Sequence, residues 1–244
     1  VFLPWRQTAR TGRTICYYLI IFLTGLVVFG AGQISGWIGD EENRGQVVYH
    51  PVGVEKEIAL TFNVDGDADI GAVTSVLQSE GVPATFFVAE YWARDHRETV
   101  KQLVLAGHEV GCLFPGGGGQ ANGGQEERAG SMIESGRAIS GISGRNVVSI
   151  RPMDTGISPV ETTMGSRAKL RTVMWSLDTH DQNHPDFRVM AVRVIKKTRP
   201  GEVILFHPDS RETIRALPDI VTGLKGRGFE FDTASELGRE SGTD

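Results

Sequence analysis

The chain has 244 residues, room for one large domain or two small ones, and its 40% hydrophobic and 23% charged content excludes a disordered polymer. A formal charge of -5, with Lys and Arg scattered among acidic residues, excludes a nucleic-acid module, which needs a concentrated basic face. The two cysteines, Cys16 and Cys112, fall in an apolar N-terminal run and deep in the remainder, so no disulfide is expected between them.

The first segment reads as a membrane anchor. Ile15 to Gly32 is mostly apolar, and no charge occurs from Thr14 to Gly39. That run can span a hydrocarbon layer of roughly 30 Å. Arg6, Arg10 and Arg13 precede it, and Asp40, Glu41 and Glu42 follow, which orients the rest outward. The organisation expected is a cytoplasmic stretch 1–13, a transmembrane helix 14–36, a linker 37–56, a domain 57–238 and a tail 239–244. A cleaved signal peptide is the alternative, with the small residues Gly30, Ala31 and Gly32 near a cleavage point. In either case the domain is extracellular, and an uncleaved anchor makes it a single-pass protein of the cell membrane.

From Ile58 onward short apolar runs alternate with helical patterns. The predicted strands are Ile58–Asn63, Ala84–Ala89, Glu109–Leu113, Val147–Arg151, Thr172–Leu177, Glu202–His207 and Phe229–Asp232. Several lack polar alternation, as strands buried on both faces do, which points to a parallel sheet. Between them, Ile70, Val73, Val76 and Leu77 share a helix face that Gly81 caps. Val100, Leu103 and Val104 form a second face before Gly107. Val189, Val192 and Ile195 form a third. Ile214, Leu217, Ile220, Val221 and Leu224 form a fourth before Gly228. Such βα alternation gives an open wound sheet or a closed barrel.

In parallel α/β folds reactive groups gather where strands end. This rule selects Asn63, Asp65, Asp67 and Asp69; Cys112 with the glycine run at 115–124; Arg151 and Pro152; Asp178, His180 and Asp181; and His207 with Asp209. The glycine run lacks the Lys-Ser/Thr of a phosphate loop, and a replaced ligand loop explains it better.

The segments ALTFNVDGD (59–67), PATFFVAEYWA (83–93), AGHEVG (106–111), IRP (150–152), WSLDTHDQNHPD (175–186), GEVILFHP (201–208) and GLKGRGFEFDTASEL (223–237) resemble, in order, those of polysaccharide deacetylases with a NodB homology domain. With the apolar N-terminus, the wording is similar to the membrane-anchored sporulation-associated branch. The resemblance implies a distorted (β/α)7 barrel acting on a cell-wall glycan, peptidoglycan or chitin-like. It also implies a divalent metal held by one Asp and two His, an Asp base, and a His–Asp pair that protonates the leaving amine.

Carried over residue by residue, the resemblance places Asn63 at the base position, Val64 at the metal Asp, and Leu113 and Gly117 at the two metal His. Arg151 with Pro152 matches the Arg that steadies the base. Asp181 and His207 match the acid pair, and Gln182 stands where an aromatic substrate wall is usual. His108 reads as a structural histidine bonded to nearby backbone. The expectation is therefore a glycan-binding pseudoenzyme without a metal. The alternative is an active divergent N-deacetylase with zinc in a rebuilt site, drawing on Asp65, Asp67, His108, Cys112 or His180.

Overall fold

The computed structural model describes residues 47–48, 54–115, 124–154 and 156–239. The expected membrane helix at 14–36 lies outside them, and among the described residues no helix is long and apolar enough to cross a membrane.

The strands are β1 (Val47–Val48), β2 (Glu57–Val64), β3 (Thr85–Ala89), β4 (Glu109–Phe114), β5 (Ser149–Pro152), β6 (Arg171–Val173), β7 (Leu177–Asp178), β8 (Val203–Phe206) and β9 (Glu230–Asp232). The helices are α1 (Ile70–Glu80), α2 (Glu90–Asp95), α3 (Arg97–Leu105), α4 (Gln125–Ser143), α5 (Pro159–Arg167), α6 (Phe187–Lys197) and α7 (Arg211–Gly226). All strand pairs are parallel, in the order β1-β6-β5-β4-β3-β2-β8-β7, with β9 also on β2.

The strands are buried on both faces, which explains their continuous apolar character. Alternate residues point outward to the helices or inward across the curved sheet. Outward, Phe62 stacks on Phe86 at 4.9 Å and on Phe206 at 5.3 Å, so three neighbouring strands share one aromatic row. Each buried ring stabilises the domain by roughly 2–3 kcal/mol. The inward face carries Ala59, Phe87, Leu113, Val173 and Val203.

Three expectations need correction. The strand expected over Thr172–Leu177 is broken: β6 pairs with β5 and β7 with β8, leaving residues 174–176 between them outside the ladder. Parallel strands curve into a half-barrel that is open at this seam among the described residues, in place of a closed barrel. Within the segment read as linker, Val47–Val48 form β1 against β6, with Val47 opposite Thr172. Helices α4 and α5 were not foreseen. α4 buries Ala129, Met132, Gly136 and Ile139 and ends at a left-handed Gly144. α5 starts with a capping box in which Ser158 and Glu161 bond each other's backbone.

Candidate functional site: a rim without metal ligands

Arg151 organises the interior. It is fully buried at the end of β5. Its Nε donates to the Val173 carbonyl at 3.0 Å and its Nη2 to that of Met174 at 3.3 Å. These carbonyls lie where the sheet breaks, so the guanidinium replaces ladder partners that the seam removes. Its Nη1 donates to Thr61 Oγ1 at 2.8 Å and to Asn63 Oδ1 at 3.2 Å on β2. The guanidinium lies 4.0 Å from the centre of the Phe87 ring and 5.7 Å from that of Trp175. Burial pulls its pKa down to about 9, against the charge of Glu109, and it stays cationic at neutral pH.

Gly111 makes that stack possible. A Cβ at this position would stand 2.6 Å from Phe87 Cδ1 and 3.0 Å from the Ser149 carbonyl. Below lies Glu109, which accepts from Thr85 Oγ1 (2.9 Å), Ser149 Oγ (2.5 Å) and the Ser235 amide (2.9 Å). The glycine and glutamate of the GHEVG segment are thus packing and floor residues.

On β8 the acid pair is assembled. Asp181 is fully buried in the short 3-10 turn Asp181–Asn183. Its carboxylate accepts from His207 Nδ1 at 2.8 Å, from the His207 amide at 2.7 Å, from the Gln182 amide at 3.0 Å, and from Thr213 Oγ1. Burial disfavours the Asp181 anion, but the bonds from His207 and Thr213 outweigh it and lower its pKa. Burial likewise works against protonated His207, yet the bond and charge of Asp181, helped by Asp178 and Asp209, raise its pKa. Nδ1 is held by the carboxylate, so Nε2 is the nitrogen left for a ligand.

The remaining positions do not fit a divalent cation. Val64 packs in the helix-side core and Leu113 in the interior cluster, and neither has an atom to donate. Gly117 lies outside the described residues. Among the described residues, no group of three or more His, Cys, Asp or Glu could hold a metal.

The replacement ligands are scattered. Cys112 faces the helix layer, and burial pushes its thiol up to about 12, leaving it protonated and inert. His108 precedes β4, at the end of the strands away from the rim. Its expected backbone bond is absent: neither ring nitrogen has a partner, and the ring sits edge-on to Phe86 at 5.3 Å. Asp65 and Asp67 are exposed just past β2, and Asp65 offers its backbone carbonyl to the Tyr91 hydroxyl. His180, exposed and left-handed at φ 51, faces Asp178 at 3.3 Å. Pro152 is buried at the end of β5, and Gln182 is exposed beside the acid pair.

The family profile described as polysaccharide deacetylase matches residues 52–112. Over 189 residues the chain is 31% identical to the chitooligosaccharide deacetylase of Sinorhizobium fredii, an alignment covering 70% of this chain and 87% of that protein. The chain belongs to the polysaccharide deacetylase family. It is also 28% identical to the peptidoglycan-N-acetylglucosamine deacetylase of Bacillus cereus, over 80% of this chain and 94% of that protein. The alignment with the uncharacterized protein YlxY of Bacillus subtilis, at 26% identity, spans 74% of this chain and only 56% of that protein. Among solved structures it resembles a CE4 family pseudoenzyme from Bacillus anthracis (TM-score 0.74, 25% identity, 80% of this chain and 70% of that one). A mutant of that pseudoenzyme, described as having restored enzymatic activity, superposes with a TM-score of 0.75.

Proposed function

We propose that this protein is a wall-facing member of the family that engages N-acetylated glycan, of the peptidoglycan or chitin-like class, without hydrolysing its amides. The observation that carries this reading is the amide of Asn63 in the place of the base, bonded to Arg151. A carboxamide takes no proton from water near neutral pH, and the apolar Val64 and Leu113 cannot hold a cation that would acidify it. The family relationship, with deacetylases of peptidoglycan and chitooligosaccharides among its relatives, supports the glycan as ligand. The apolar run at 14–36 and its arginine-rich N-terminal flank support an anchored, extracellular placement, and the sporulation-like wording of the first segment supports a role in spore-wall assembly.

A second reading, a divergent deacetylase using zinc, is favoured by the intact Asp181–His207 pair. One assay separates the two. Purified protein is incubated with acetylated chito-oligosaccharide and peptidoglycan plus zinc, cobalt or manganese, and acetate is measured. The pseudoenzyme reading expects no metal-dependent release above a His207→Ala control; clear release sinks it.

A further inference from the structure

Exchange of the base for Asn63 changes the sign of what the rim can bind. A guanidinium only donates hydrogen bonds, so the Asn63 atom facing it is the carbonyl Oδ1, and the amide Nδ2 is turned away. Phe62 pairs with Phe206 in register, so Asn63 and His207 follow on adjacent strands, about 4.8 Å apart along the ladder. Alternation from Ala59 on β2 and Val203 on β8 puts both on the inward face. Asn63 is 7% exposed and the His207 side chain 14%, so each keeps a strip of accessible surface.

Here the chain sets side by side the Nδ2 of Asn63 and the Nε2 of His207, a donor whenever the ring is protonated, with a buried cation behind. No ion pair joins Arg151 to a carboxylate among the described residues, and Glu109 faces it from the floor, already holding three donors. Asp181 is matched by His207. Asp178 and Asp209 oppose an anion, but Asp178 is engaged by His180 and Asp209 is exposed, where solvent screens it.

We propose that this rim is a carboxylate-binding site, and that its ligand is a sugar-borne carboxylate of the wall glycan. The second clause rests on the glycan reading above; the first does not. Nδ2 and Nε2 each give a hydrogen bond to the carboxylate, and Arg151 supplies the field that favours a negative charge at that place.

The test is titration of the full chain, by calorimetry or NMR, with acetate, N-acetylmuramic acid and N-acetylglucosamine. The two sugars differ by a carboxylate-bearing ether. Muramic acid is expected to bind at least about tenfold tighter than glucosamine. Affinity is expected to fall in the order wild type, Asn63→Ala, Asn63→Asp, because alanine removes a donor and aspartate adds a repelling charge. A thermal melt of each variant verifies folding. Equal affinity for both sugars, with no acetate binding, overturns the carboxylate site and leaves glycan binding standing. A muramic acid preference that survives Asn63→Asp also overturns it. Acetate binding that Asn63→Asp abolishes, with neither sugar bound, upholds the site and removes the glycan.

Discussion

Arg151 Nη1 stands 3.2 Å from Asn63 Oδ1, and the residue that would complete an ion pair there is a neutral amide. Restoring the carboxylate with Asn63→Asp replaces an ordinary bond by a charge-assisted one. The variant is expected to be more stable by about 1–2 kcal/mol in chemical denaturation. It is expected to release no acetate, since Val64 and Leu113 still offer no ligand.

Arg151 itself holds four acceptors on β2 and at the seam. Arg151→Lys keeps the charge but has no planar fork to reach both sides. It should cost about 3 kcal/mol or more through the carbonyls left unpaired, read as a lower denaturation midpoint.

Gly111→Ala tests the support beneath that cation. The new methyl must push Phe87 or the Ser149 carbonyl aside. A loss of about 1–3 kcal/mol is expected, and no change would show that the Phe87 stack yields freely.

The acid pair sets a pH dependence. His207 is raised in the folded state, so its stabilisation is complete below its ordinary 6.5 and is lost as pH climbs through the raised value. Asp181 is lowered, so its contribution is complete above 3.8 and is lost as pH falls through the lowered value. The pair should stabilise most between these limits. An NMR titration should place the His207 midpoint above 6.5, and in Asp181→Asn below it, because burial then acts without its counterweight.

Cys112 gives a chemical readout. With its pKa pushed up to about 12 and no accessible surface, the thiol should resist disulfide reagents until the protein unfolds. Cys112→Ser should leave zinc content unchanged, and a drop would make it a ligand after all.

Strand placement was legible because burial on both faces leaves unbroken apolar runs such as those of β2 and β8, and Gly81 marks the end of α1 as expected. The seam was not legible. Met174 and Trp175 look like strand residues, and the group that captures the Met174 carbonyl comes from Arg151, 23 residues earlier. Helix α4 was hidden because much of its buried face is Ala129, Gly136 and Ser143, which carry little apolar contrast. The Asn63 substitution was visible in sequence. Its bond to Arg151 joins residues 88 apart, and the orientation it forces on the amide needed the fold.

The arginine that bridges the open edge of the sheet has a wider implication. A side chain needed to keep strands together persists after turnover is gone, for reasons independent of chemistry. An Arg-Pro pair closing a strand in this family is therefore a marker of architecture. Inferring an active member from it, without inspecting positions 63, 64 and 113, would credit this chain with a reaction its residues are not equipped to run.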